Sequence, residues 1–181
     1  MSAVIHLERL LHETIATPYS DLVTRPTGAA VRQRVFDALR EAAGQDAQLD
    51  FSAVGLVDFS CADEVVAKLL NQLAQLPILR LGLRGLREDH AEAIENALHC
   101  HGLAVVALFA DSPRPRLLGR VPDDWREVFA VLGDLGRTAP PPVAERLAWP
   151  AARAHDALAA LAQRGCLLAH PDDTYELGAV A

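Results

Sequence analysis

Apolar and polar positions change period repeatedly along the chain, and each change marks an element. Val4-Ile5-His6-Leu7-Glu8-Arg9-Leu10-Leu11 reads as an edge strand or hairpin arm. A second extended segment around Asp21-Leu22-Val23-Thr24 ends at Arg25-Pro26, because the residue before proline avoids the helical region. Pro26-Thr27-Gly28 starts a helix through Ala43, with Val31, Val35, Phe36 and Leu39 as its apolar stripe and Gly44 as its stop. A strand over 47–51 and a helix over 61–76 follow, the helix marked by Val65, Val66, Leu69, Leu70 and Leu73. Pro77 breaks the chain before a strand at Ile78–Leu83. A helix over 87–101 turns Ala91, Ile94, Ala97 and Leu98 inward, and Leu103 to Phe109 is the continuous apolar run of a strand covered on both faces. Strands and helices alternating at this spacing predict an α/β layer with a mixed, mostly parallel sheet.

Ala110 to Val121, with Pro113, Pro115 and Gly119, has the composition of a linker, which places the break near residue 115. The expected organisation is an α/β domain over 1–112, a linker over 113–121 and a small α+β domain over 122–181. In the last of these, Pro122-Asp123-Asp124 opens a helix that buries Trp125, Val128, Phe129 and Leu132. Pro140-Pro141-Pro142 starts a short helix, and a third spans 151–164. Cys166–Ala169 and Thr174–Leu177 then flank a turn at His170–Asp173. Three helices followed by a hairpin resemble a winged helix-turn-helix.

The chemistry concentrates between Leu49 and Leu70. There a short strand reaches Asp50-Phe51-Ser52, a loop leads to Asp58, and Ser60 stands where a helix N-cap belongs, with Asp63 three residues on. Asp50, Phe51, Ser52, Ser60, Ala62, Asp63 and Glu64 together resemble the signature "DFSGV…SFADE" of the STAS-like domain, a relative of the anti-sigma-factor antagonist fold. Cys61 replaces the usual aromatic, and Ala53 precedes Val54 where glycine is common. The resemblance covers roughly residues 1–110. It implies a non-catalytic bacterial signalling protein that binds a protein partner, either a histidine-kinase-type ATPase or a sigma or anti-sigma regulator. It also implies that Ser60 is the position a partner kinase phosphorylates, with Asp58, Asp63 and Glu64 beside it. The plain alternative is that Ser60 is an N-cap worth about 1 kcal/mol. Asp63 and Glu64 would repel a phosphate there, or Glu64 reaches an arginine such as Arg25 or Arg84. As an acid/base pair they are poorly placed, since neighbours on an α-helix point about 100° apart.

Composition narrows the function classes. A net charge of −7 gives no generic attraction to nucleic acid or anionic lipid. No segment approaches 18 consecutive apolar residues, and the start lacks the pattern of a signal peptide. Cys61, Cys100 and Cys166, odd in number and widely spaced, fit reduced thiols in a cytoplasmic protein. Residues 121–181 carry five arginines, no lysine and nine carboxylates. That balance disfavours, without removing, a transcriptional regulator that touches DNA through Arg146, Arg153, His155 and Arg164. Protein contact, with a second copy of the chain among the partners, is the other use of such a domain. His99-Cys100-His101 are consecutive and have no second Cys/His pair at zinc spacing, so no metal is expected. No glycine-rich phosphate loop implies a cofactor, and no base stands at a spacing that would activate Ser60. Arg84-Gly85-Leu86-Arg87 is a polar loop at a strand end, where α/β folds place contacts.

Overall fold

The computed structural model describes residues 2–178, which form two compact units, 2–120 and 121–178. The first is a mixed α/β unit built on a five-stranded sheet. Its elements are β1 (Ser2–His6), α1 (Leu7–Thr14), α2 (Arg25–Glu41), β2 (Asp46–Asp50), α3 (59–71), β3 (Arg80–Leu86), α4 (Glu88–His101), β4 (Ala104–Phe109) and β5 (Arg116–Gly119). The strands lie in chain order, β1 to β4 parallel and β5 antiparallel to β4.

Strand order explains where the helices go. Parallel neighbours need right-handed crossovers, and an order that never reverses puts every crossover helix on the same face. Accordingly α2 and α4 both pack on the middle of α3. Ile5, Leu49, Leu83 and Ala107 stand in register across the sheet and point into that helical layer. With Leu7, Leu39, Val66, Ile94 and Leu98 they make one continuous core.

The sequence reading differs from this fold in two places. The strand expected through Leu11 stops at His6, and Leu7–Thr14 is helical. The four-residue spacing of Leu7 and Leu11, both fully buried, fits one face of a helix and outweighs the alternation that precedes it. The stretch read as a linker holds β5, and the units divide at Arg120 rather than near 115. Leu117 and Leu118, in register with Val106 and Val105, are buried, which draws a segment flanked by Pro115 and Gly119 onto the sheet.

The second unit consists of α5 (Asp123–Leu135), α6 (Pro140–Leu147), α7 (Ala151–Gln163) and an antiparallel hairpin of β6 (Leu167–Ala169) and β7 (Tyr175–Leu177). Thr138, between α5 and α6, bridges Tyr175 through paired backbone hydrogen bonds of 3.0 and 2.8 Å. Val128, Phe129, Leu132, Val143, Ala154, Leu158 and Leu161 fill its core. No described helix is long and apolar enough to cross a membrane.

Gly119 closes β5 at φ +106°, and a Cβ there would lie 2.2 Å from the Leu103 carbonyl oxygen. Gly119→Ala is therefore expected to destabilise the protein by at least about 2 kcal/mol, from backbone strain and overpacking together. A urea midpoint equal to wild type would contradict this account of β5.

Candidate functional site

Two extended segments build the front of the site. Leu22 pairs with Val57 in a short parallel bridge: Leu22 N–H donates to the Leu56 carbonyl at 2.8 Å, and Asp58 N–H to the Leu22 carbonyl at 3.0 Å. The loop before the bridge is pinned from behind. Arg87 donates to the Val54 and Gly55 carbonyls at 3.0 and 2.8 Å, and the His90 Nε2–H to the Gly55 carbonyl at 2.7 Å. His90 Nδ1 accepts from Arg87 N–H, so the network requires a neutral imidazole. Burial, the largest influence, lowers its pKa to match.

Asp58, not Ser60, caps α3. Its Oδ1 accepts Cys61 N–H at 2.7 Å and the Ser60 hydroxyl at 2.9 Å, and its Oδ2 accepts Thr24 N–H at 2.8 Å. Thr24 sits at φ +73°, so this bond also holds the strained residue that precedes α2. Burial pushes the Asp58 carboxyl up, but the donors from Thr24, Cys61 and Ser60 outweigh it and hold its pKa below the ordinary value. The helix begins two residues earlier than the Ser60 cap required, because Phe59 is already helical. Ser60 lies in the first turn, half-buried, two residues from its acceptor.

Asp63 and Glu64 lie in a stretch of α3, Cys61 to Ala67, in which every residue is buried. Residues Asp63–Lys68 wind as a π-helix, and in that wider turn both carboxylates point inward. Arg25 Nη1 lies 2.6 Å from Asp63 Oδ2 and 2.8 Å from Glu64 Oε1. Arg32 reaches Glu64 Oε2 at 3.2 Å, Lys68 pairs with Glu64, and His101 donates to Asp63 Oδ1 at 2.6 Å. Burial raises both carboxyl pKa values. Hydrogen bonds from Arg25 and His101 on Asp63, and from Lys68 and Arg25 on Glu64, more than reverse that, so both stay ionised. The pair converges after all, yet as a structural ion cluster and not as an acid and a base. Glu64 takes Arg25, whereas Arg84 pairs with Asp50, Nε to Oδ2 at 3.6 Å.

This cluster also changes the setting of Ser60. The repulsion expected from Asp63 and Glu64 is offset, because Arg25 and Lys68 lie against both carboxylates and Arg32 against Glu64. The negative charge that Ser60 does meet is Asp58. Cys61 beside it is buried, its Sγ directed at the Thr24 carbonyl, and burial with the nearby Asp58 pushes its pKa up to about 12, so it is no thiolate nucleophile.

In the second unit most of the cations named for DNA contact are already engaged. Arg153 makes a two-pronged pair with Asp124 at 2.7 and 2.8 Å and lies over the Trp149 ring. Arg164 lies over Trp125, and His155 is 3.6 Å from Asp173 and 3.7 Å from Asp156. Arg146 is exposed in the last turn of α6. Arg137 is held by Asp172 and Thr174 in the hairpin turn. Of His99, Cys100 and His101, only His101 joins the Asp63 cluster. Among the described residues no His, Cys, Asp and Glu side chains converge in a metal-binding group.

No family model matches the chain, and no curated protein matches it. The STAS-like resemblance therefore rests on residues 50–64 themselves.

Two predictions follow from this geometry. Asp58→Ala should cost about 2 kcal/mol, the upper end for a lost cap because the Thr24 N–H is orphaned as well, whereas Ser60→Ala should cost under about 0.5 kcal/mol. Chemical denaturation of the two variants decides it, and equal losses would return the cap to Ser60. Glu64→Gln should cost up to about 3 kcal/mol, since it removes one of the two buried carboxylates that Arg25, Arg32 and Lys68 surround. Because the folded pKa of Glu64 lies below its ordinary 4.5, its contribution is complete above that value and disappears as pH falls through the folded value. Wild type should therefore lose stability below about pH 4, and the variant should lose less over the same interval. Parallel acid limbs would contradict the cluster.

Proposed function

We propose that the protein is a non-catalytic signalling component whose first unit docks a protein partner at the start of α3. One observation carries the reading. Of the seven large apolar side chains exposed among the described residues, four (Tyr19, Val23, Leu56 and Phe59) belong to the paired segments in front of Ser60. Backbone alternation explains them: Leu22 and Val57 turn inward, so their neighbours Val23 and Leu56 turn out. Leu56 at 59% and Tyr19 at 69% exposure are a poor use of apolar surface unless something covers them.

The STAS-like signature supports the same end of α3 as the contact surface and a histidine-kinase-type ATPase or a sigma-pathway regulator as the partner class. For the second unit, the order of three helices and a hairpin, with Thr138 bridged to Tyr175 as a third short strand, supports the winged-helix reading. Its charge pattern supports protein contact over DNA, since Arg153, His155 and Arg137 face carboxylates within the unit.

Affinity isolation from the source cells with wild-type and Phe59→Asp baits is the test. An ATPase or sigma-pathway protein should be retained by wild type and reduced at least tenfold, about 1.4 kcal/mol, by the variant at unchanged melting temperature. Equal retention on both baits would remove the patch from the interface. Titration of duplex DNA at low and physiological salt should give no saturable binding, and a saturable, salt-sensitive curve would move the function to transcriptional control.

A further inference from the structure

We propose that the cavity at the carboxyl end of β3 binds a small anion, a carboxylate or phosphate group, on the Arg84 guanidinium. Ser52, Arg84, Gly85, Phe109, Asp111 and Ser112 line this space of about 570 Å³. Arg84 stands on the middle strand of the five, at the edge where parallel α/β sheets present their ligand sites.

The guanidinium is incompletely satisfied by the protein. Its Nε is buried without a hydrogen bond, and the nearby carboxylate, Asp50, is too far to supply one at 3.6 Å. Asp50 is itself committed: Oδ1 accepts both the N–H and the hydroxyl of Ser52, and Oδ2 faces His6 Nδ1 at 3.3 Å. A buried donor without a partner is rare enough in folded chains to need a reason. That donor faces Asp50, and the other N–H groups of the guanidinium, on a side chain that is one-third exposed and lines the cavity, match the two oxygens of a carboxylate or phosphate. Gly85 shapes the opening. It sits at φ +67°, and a Cβ there would fall 2.2 Å from Ser52 Oγ. The Ser52 hydroxyl donates to Asp50 and that of Ser112 to the Arg114 carbonyl, which leaves the guanidinium as the donor, and Asp111 limits the charge the cavity accepts.

The neighbouring cavity lined by His6, Arg9, His12 and Asp50 offers less, because its groups are spent locally. Arg9 pairs with Glu13, His12 bonds the Tyr19 carbonyl, and Glu8 accepts the Ser20 hydroxyl.

The test is an amide-resonance titration of the full chain with sodium phosphate and with sodium acetate, each against chloride at matched ionic strength. Saturable shifts at Ser52, Gly85 and Ser112 in the millimolar range are expected with at least one anion. Saturation by phosphate alone assigns a phosphate-bearing ligand, and by acetate alone a carboxylate. Arg84→Gln should abolish the response with the rest of the spectrum preserved. Arg84→Lys, which keeps the charge and loses the fork, should weaken it at least about fivefold. Asp111→Asn should tighten it about threefold by removing a like charge. Absence of saturable shifts with both anions in wild type, or an undiminished response in Arg84→Gln and Arg84→Lys, would overturn the proposal.

Discussion

Two adjacent carboxylates buried in one helix are the constraint on which the first unit depends. Asp63 and Glu64 stay charged inside only while cations surround them, and those cations come from three places: Arg25 and Arg32 on α2, Lys68 one turn along α3, and His101 as a donor at the end of α4. The requirement fixes how the helical layer packs. Arg25, Gly28 and Arg32 lie at three- and four-residue spacings on one face of α2. Gly28 allows the close approach, since a Cβ there would stand 3.0 Å from the Cys61 Cα. The two arginines straddle that contact and close over the carboxylates.

Once α3 is anchored by its middle, its first turn is free for another task. Asp58 ties that turn to the Leu22–Thr24 segment, and Arg87 with His90 hold the loop before it from the α4 side. The polar groups of the loop are thus consumed by its own scaffold. Among the side chains left facing outward are four large apolar ones, Tyr19, Val23, Leu56 and Phe59. A capped helix start with exposed apolar side chains on it and on the segments before it suits a protein contact formed without much ordering cost. Arg84 belongs to a different edge, at the ends of the strands, and its loose pairing with Asp50 sets it apart from the saturated ion pairs of the helical layer.

Periodicity was enough to recover the order of strands and helices, because the core stripes of α2, α4 and β4 are long and regular. It failed at Leu7–Leu11, where a few apolar residues fit both periods, and at Arg116–Gly119, where proline and glycine masked a short buried strand. The cap was misplaced for a local reason. Asp58 and Ser60 are both good N-caps, and the choice turned on Thr24, whose N–H reaches Asp58 from 34 positions away. The convergence of Asp63 and Glu64 was hidden for a similar reason, since it depends on Arg25 and Arg32, 38 and 32 positions before their partners, which the packing of α2 on α3 brings in. Of the two arginines expected for Glu64, Arg25 and Arg84, the structure has Arg25, because the start of α2 lies beside the middle of α3.

The second unit follows the opposite electrostatic rule. In the first, carboxylates are buried and cations are spent to keep them there. In the second, Asp124, Asp172 and Asp173 are surface groups set against Arg153, Arg137 and His155. The guanidinium of Arg153 lowers the pKa of Asp124, and the Thr174 hydroxyl with Arg137 lowers that of Asp172, so these partners stay ionised at neutral pH. A phosphate approaching α7 would have to displace a carboxylate from Arg153 and then meet Asp156 on the same helix. Counterion release rewards a protein only for cations it has free to offer. The arrangement of helices and hairpin alone is compatible with either use of this unit, and the pairing of its cations is what separates the two.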